Sequence, residues 1–193
     1  MRPTLIVFVK EPLAGRVKTR LGREIGMAAA AQWFRNQSSG LIRRLSRDPR
    51  WETVLAVAPD TALASPAWPA GAALWPQGRG DLGARMQRAL RRFGSGPRII
   101  VGADIPGIGR REIADAFRAL RGRDAVFGPA PDGGYWLVGM RGTVPGGFME
   151  DVRWSSPHTL ADTEASLPRK ARIAHVAMLR DVDTLADLHA LQR

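Results

Sequence analysis

The most constraining feature of the chain is its first apolar run, Thr4-Leu-Ile-Val-Phe-Val9, uncharged, rich in β-branched residues and closed at once by Lys10-Glu11. A run this short, with no polar alternation, suits a strand buried on both faces of a parallel sheet. Parallel strands need long crossover connections, and helical spacing fills the intervals between further runs of the same kind. A loop punctuated by Gly and Pro, from Glu11 to Gly22, leads into a helical stretch from about Glu24 to Arg47, with an interruption expected near Ser38-Ser39-Gly40. Further strands are expected at Thr53–Val57, Ala72–Trp75, Arg98–Val101, Ala125–Phe127, Tyr135–Gly139 and Ile173–Val176. Helices are expected at Asp81–Phe93, Arg110–Leu120, Ser156–Leu167 and Thr184–Leu191. Strands alternating with helices mean an α/β fold with a mainly parallel sheet, and 193 residues without a linker or repeat read as one domain over 1–193. In such sheets ligands bind beyond the carboxyl ends of the strands, so the loops after strands are where function is sought.

Composition removes several chemistries. The chain has no Cys, which excludes disulfide scaffolds, zinc–thiolate sites, iron–sulfur clusters and Cys nucleophiles. Its His residues are His158, His175 and His189, too few and too scattered for a multi-His metal site. Leu5 to Val9 is too short for a signal peptide. The uncharged stretch Thr61–Gly78 carries Pro66, Pro69 and Pro76, so it reads as irregular surface rather than a membrane span. A cytoplasmic protein is the expectation.

The net charge is +11, and residues 1–50 hold 11 basic against 3 acidic side chains, which points to an anionic partner near that end. Of the basic residues only Lys10, Lys18 and Lys170 are lysines. In a chain so rich in Arg, a Lys can mark a place where a compact ammonium suits better than a planar fork. A basic nucleic-acid-binding module is one reading of the charge, with Arg35, Arg43, Arg44, Arg47 and Arg50 as phosphate contacts. Against it, no helix-turn-helix, zinc finger or aromatic platform is present, and a solvated helix face explains the same residues.

Five segments can carry chemistry. In Lys10-Glu-Pro-Leu-Ala-Gly15-Arg-Val-Lys18-Thr-Arg20, a loop glycine permits close backbone approach while Lys18 and Arg20 suit phosphate oxygens. It is not a P-loop, because Val17 stands where the second glycine is required. Gly78-Arg-Gly80-Asp-Leu-Gly83 satisfies the dinucleotide fingerprint literally, yet a helix start with Asp81 near its N-cap explains it as well. Gly102-Ala-Asp104-Ile-Pro106 sets a carboxylate directly after a strand, where it can ligate Mg²⁺ with help from phosphates or serve only as a turn. Asp132-Gly133-Gly134-Tyr135 is a tight turn whose Asp can accept bonds from hydroxyls, or a plain hairpin. Asp183 in Asp181-Val-Asp183-Thr184 reads as a helix cap, or as a second metal carboxylate if the fold returns it toward Asp104. Trp33, Phe34, Phe117 and Leu120 read as core, and His158 is the histidine nearest a candidate segment.

Taken in order, Phe8-Val-Lys10-Glu-Pro12, Gly15-Arg-Val-Lys18-Thr-Arg20-Leu21, Gly80-Asp-Leu-Gly83-Ala-Arg85-Met86, Gly102-Ala-Asp104-Ile-Pro106, Asp132-Gly-Gly-Tyr135, Trp154-Ser-Ser156 and Asp181-Val-Asp183-Thr184 resemble a bacterial family of GT-A-type glycosyltransferases. That family lies within the nucleotide-diphospho-sugar transferase superfamily. The first motif also resembles phospholactate guanylyltransferases, and the Asp-x-Asp-Thr ending resembles cofactor nucleotidyltransferases. The resemblance runs from Val7 to Leu188 and implies a Rossmann-like three-layer α/β/α sandwich. It further implies a nucleotide or nucleotide-sugar donor, a small-molecule acceptor, and Mg²⁺ or Mn²⁺ as cofactor. On it, Lys10, Gly15, Lys18, Arg20, Asp81 and Arg85 face the nucleotide and its phosphates. Asp104 and Asp183 hold the metal, and Gly133, Gly134, Tyr135 and Trp154 shape the sugar or acceptor side. Lys18 and Asp132 are the catalytic candidates, Asp132 as base on an acceptor hydroxyl. The family's Asp-x-Asp pair becomes Asp104-Ile-Pro106 here, leaving Asp183 as the second metal carboxylate. Glycosyl transfer is the leading expectation, with nucleotidyl transfer from an NTP to a phosphorylated small molecule as the alternative.

Overall fold

The computed structural model describes residues 2–94 and 96–191. Its strands are β1 (Thr4–Lys10), β2 (Glu52–Ala58), β3 (Ala73–Pro76), β4 (Arg98–Gly102), β5 (Ala125–Pro129), β6 (Tyr135–Met140) and β7 (Ile173–His175). Its helices are α1 (Thr19–Ile25), α2 (Met27–Ser46), α3 (Leu82–Arg92), α4 (Arg110–Ala119), α5 (Thr159–Ala165) and α6 (Leu185–Ala190). The strands form one seven-stranded sheet in the order β3-β2-β1-β4-β6-β5-β7. Pairing is parallel except at β6, which runs antiparallel to both β4 and β5.

The sheet is covered on both faces, which is why its central strands are apolar without alternation. Leu5, Val7 and Val9 of β1 pack with Phe34, Leu41 and Leu45 of α2 and Ile113 of α4. Ile6 turns to the opposite face and packs with Met86, Ala89 and Leu90 of α3. Each fully buried aliphatic chain of this kind contributes about 1.5–3 kcal/mol, which makes the two interfaces the main source of stability. Phe34 and Leu120 are buried, and Trp33 and Phe117 pack against the same layer, as expected of core.

The expected long helix is divided differently. It breaks at Gly26, at φ 91°, into α1 and α2, and runs unbroken through Ser38-Ser39-Gly40. At the latter point Ser38 Oγ donates to the Arg35 carbonyl (3.2 Å), and the burial of Leu41 and Ile42 outweighs poor local propensity. The helix expected over Ser156–Leu167 is shorter, Thr159–Ala165, because Ser156 Oγ turns back to the Arg153 carbonyl at 2.7 Å. The irregular stretch before Gly78 holds a 3₁₀ turn, Asp60–Ala64, and β3. Among the described residues no helix is long and apolar enough to cross a membrane.

Candidate active site

The chain leaves β1 and β4 for opposite halves of the sheet, so the loops beyond their carboxyl ends part and a crevice opens there. Lys18 stands at its floor, capping α1 in the left-handed conformation (φ 46°, ψ 46°). A non-glycine residue held there stores about 1–3 kcal/mol of strain. What holds it is charge. Lys18 Nζ lies 2.7 Å from Asp104 Oδ2, 2.9 Å from Asp183 Oδ1 and 3.8 Å from Asp181 Oδ2, with the side chain only 6% exposed. Burial alone pulls its ammonium toward neutrality, but the Asp104 and Asp183 carboxylates outweigh that and leave the pKa above the ordinary lysine value. Arg20 Nη1 reaches the other Asp183 oxygen at 3.0 Å.

Asp183 is free for this role because it is not the helix cap expected of it. Thr184 caps α6, its Oγ1 accepting from the Asp187 amide, while Asp187 Oδ2 accepts from the Asp183 and Thr184 amides. Asp104 and Asp183 therefore converge on one small volume from sequence positions far apart. Two hard carboxylates meeting there are of the chemistry that would hold a divalent cation such as Mg²⁺ or Mn²⁺. Among the described residues no group of three or more such side chains has metal-site geometry by itself.

From this cluster the crevice extends in two directions of opposite character. One arm, about 630 Å³, is lined by Lys10, Arg16, Arg20 and Arg85 besides Lys18. Arg85 is set by Asp81 and Gln77: its Nε donates to the Asp81 carbonyl at 3.1 Å and its Nη1 to Gln77 Oε1 at 2.9 Å. Asp81 caps α3, its Oδ1 accepting from the Ala84 amide at 2.8 Å, so Gly78–Gly83 is a helix start as its composition allows. The other arm, about 220 Å³, is lined by Asp104, Asp132, Asp181, Tyr135, Trp136 and Trp154 among others, and by no Lys or Arg. Asp132 lies in the β5–β6 turn with Oδ1 accepting from the Gly134 amide at 2.9 Å. Gly133, at φ 83°, sits against the Pro157 carbonyl so closely that a Cβ would collide with it, which presses this turn onto the 153–158 loop. Burial pushes the Asp181 carboxyl above its usual range; Lys18 opposes this, while Asp183, Asp104 and Asp132 add to it. The Tyr135 hydroxyl is buried, and that burial raises its pKa, with the Thr163 hydroxyl acting against the shift.

Most of the residues singled out from sequence meet here. Gly15, at φ 73°, and Gly133 support loops without lining either arm, and His158 lies outside the lining as well. Arg16, Asp181 and Ser155 line the crevice although no role was expected of them. Arg16 and Asp181 fall within the motifs around Lys18 and Asp183, and their signal was the same excess of charge beside a strand end. In the basic helix, Arg35 donates to the Pro12 carbonyl and Arg44 to the Ile108 carbonyl, and just beyond it Arg50 donates to Asp48. These three guanidinium groups tie the chain to itself, while Arg43 and Arg47 are exposed on the same stretch.

The family described as "Uncharacterized protein conserved in bacteria (DUF2064)" matches residues 41–156. Among solved structures, a protein of Desulfovibrio desulfuricans G20, provisionally named a nucleotide-diphospho-sugar transferase, is 28% identical with a TM-score of 0.88, covering 100% of this chain and 87% of its own. Rv0371c of Mycobacterium tuberculosis H37Rv, solved as a complex with manganese, is 15% identical with a TM-score of 0.58, covering 99% and 98%. The 4-diphosphocytidyl-2C-methyl-D-erythritol synthase of Anaerococcus prevotii DSM 20548 is 12% identical with a TM-score of 0.62, covering 100% and 99%. The last two likenesses are of fold. No curated protein sequence matches the chain.

Proposed function

Because the chain belongs to the DUF2064 family and has the nucleotide-diphospho-sugar transferase fold, we propose that it is a nucleotide-dependent glycosyltransferase acting on a hydroxylated small molecule. One observation carries the reading: a single crevice has a cationic arm and a carboxylate-rich aromatic arm, joined at the Lys18–Asp104–Asp183 cluster. The diphosphate of a nucleoside-diphosphate sugar fits the arm of Lys10, Arg16 and Arg85. The neutral sugar and acceptor fit the arm of Asp132, Tyr135 and Trp154, where an aromatic face and carboxylate acceptors suit C–H and O–H groups. The likeness at 28% identity to the Desulfovibrio protein supports the same reading.

In the reaction, the bond from the sugar's anomeric carbon to the donor phosphate breaks and a bond to the acceptor oxygen forms. The electron pair leaves on the nucleoside diphosphate, and the acceptor proton passes to the Asp132 carboxylate. Lys18, Arg20 and Lys10 stabilise the charge that grows on the departing phosphate. A divalent cation held by Asp104 and Asp183 would add Lewis-acid stabilisation to that charge. Transfer of a nucleotidyl group to a phosphorylated acceptor is the alternative reading, and it would bring that phosphate into an arm that has no Lys or Arg in its own lining.

The test is a thermal-shift series of nucleoside diphosphates, triphosphates and diphospho-sugars, each with and without Mg²⁺ or Mn²⁺. A ligand at 100 times its Kd adds about 2.7 kcal/mol to the folded state. The expected result is a metal-dependent rise in Tm, greatest for a diphospho-sugar. A greater rise with a triphosphate would move the reading to nucleotidyl transfer, and no rise with any of them would remove it.

A further inference from the structure

The cationic arm does not end at its arginines. Lys10, Arg16 and Arg85 also line a larger cavity, about 820 Å³, beyond the ends of β1 and β2. If the diphosphate lies along those three side chains, the nucleoside lies in this cavity, so the identity of its base rests on the glycosyltransferase reading. Three charged residues that line it, Glu11, Asp60 and Arg79, belong to neither arm of the crevice, and of these Asp60 and Arg79 stand on the two loops that follow β2 and β3.

Asp60 opens the 3₁₀ turn after β2, and its Oδ1 accepts from the Gly78 amide at 2.9 Å. The Gly78 loop is itself held, because the Arg88 guanidinium donates to the Gln77 carbonyl at 2.7 Å and the Arg79 carbonyl at 2.8 Å. The carboxylate is thus fixed between the ends of two strands, with one acceptor site engaged of the roughly four that an ionised carboxylate offers. Arg79 follows Gly78 directly and lines the same cavity.

A carboxylate is satisfied best by two donors side by side, and a guanidinium by two acceptors side by side. Guanine offers both sets, N1–H with the N2 amino group and O6 with N7. Adenine and cytosine set a lone amino group beside a ring acceptor that would face the carboxylate, and uracil flanks its one N–H with carbonyls. We propose that the nucleoside recognised is guanosine, with Asp60 reading N1 and N2 and Arg79 reading O6 and N7.

Calorimetric titration of the full chain with GDP, ADP, CDP and UDP in the presence of Mg²⁺ tests this. GDP should bind at least about tenfold more tightly than the others, as one bidentate pair discriminates on that order. In Asp60→Asn the carboxamide oxygen still accepts from the Gly78 amide, so the loop is kept. That variant should lose about tenfold or more for GDP, change little for ADP, CDP and UDP, and gain affinity for xanthosine diphosphate, whose 2-oxo group accepts from the amide. Arg79→Met, on the exposed rim, provides a second reading and should narrow the preference for GDP. A tighter affinity for another of the four, or an equal loss of all four in both variants, overturns the assignment while leaving the transferase reading intact. Failure of the unaltered chain to bind any of the four overturns the assignment, and the transferase reading falls with it when the triphosphates and diphospho-sugars fail to bind as well.

Discussion

At the scale of single residues, the cluster around Lys18 is an electrostatic arrangement that cannot lose its cation without consequence. Asp104, Asp181 and Asp183 are gathered within reach of one ammonium and would otherwise repel one another. Breaking a fully buried pair costs about 3–5 kcal/mol, and these carboxylates are about a third exposed, so Lys18→Met should cost about 1–3 kcal/mol. A divalent cation can replace the missing charge at the same two carboxylates. Thermal melts of Lys18→Met should therefore show a lower Tm that Mg²⁺ or Mn²⁺ restores in the absence of nucleotide, whereas the unaltered chain responds little to metal alone. A Tm indifferent to both the substitution and the metal would remove the cluster from the site. The candidates themselves were legible: a Lys among arginines and an Asp after a strand are local signals. That Lys18 spends its charge on Asp183 was not legible, because 165 residues separate them and only the fold brings them together. Asp60 and Arg79 were equally silent, since each looks like an ordinary turn residue until the two loops meet.

At the scale of elements, the wall of the aromatic arm depends on an ion pair outside it. Arg153 donates from Nε and Nη2 to the two Asp162 oxygens, each at 2.8 Å, and its amide donates to the same carboxylate at 3.1 Å. This ties the loop carrying Trp154 and Ser155 to α5. The Arg153 hydrogen bonds hold the Asp162 carboxyl down at about 2, against 3.8 for an ordinary Asp. A carboxyl depressed on folding stabilises above its unfolded value and ceases to do so as pH falls through the folded one. Asp162→Asn should thus have a lower Tm than the unaltered chain near neutrality, and the gap should close between about pH 3.8 and about 2. Melts of the two proteins across that range check this, and a gap of constant size would assign the loss to something other than the ion pair. Element types were mostly readable from apolar runs and helical spacing. The break at Gly26 was not, because helix-forming residues flank it on both sides and a single glycine is a weak signal. The apparent stop at Ser38–Gly40 misled for the opposite reason: local propensity spoke against a helix that burial of Leu41 and Ile42 maintains.

At the scale of the whole molecule, the charge of +11 acts at a distance that side-chain contacts do not. Raising salt from about 0.1 M to 1 M shortens the Debye length from about 10 Å to 3 Å, which removes steering but spares contacts inside the crevice. Stopped-flow binding of a nucleoside diphosphate should then show an association rate that falls several-fold while dissociation changes less. A loss confined to dissociation would mean that the basic surface plays no part in capture. Fold class was legible from the alternation of strands and helices, but strand order was not, since no local pattern tells β6 to insert antiparallel between β4 and β5. That insertion has a consequence for biosynthesis. While a chain is emerging from the ribosome, β1, β2, β3 and β4 can assemble as soon as residue 102 is available, yet β4 then presents an open edge until β6 arrives. An unpaired apolar edge of this kind is a template for strands of other nascent chains. Pausing or premature termination between residues 102 and 140 therefore leaves this edge open to aggregation, and the strand that covers β4 also protects it.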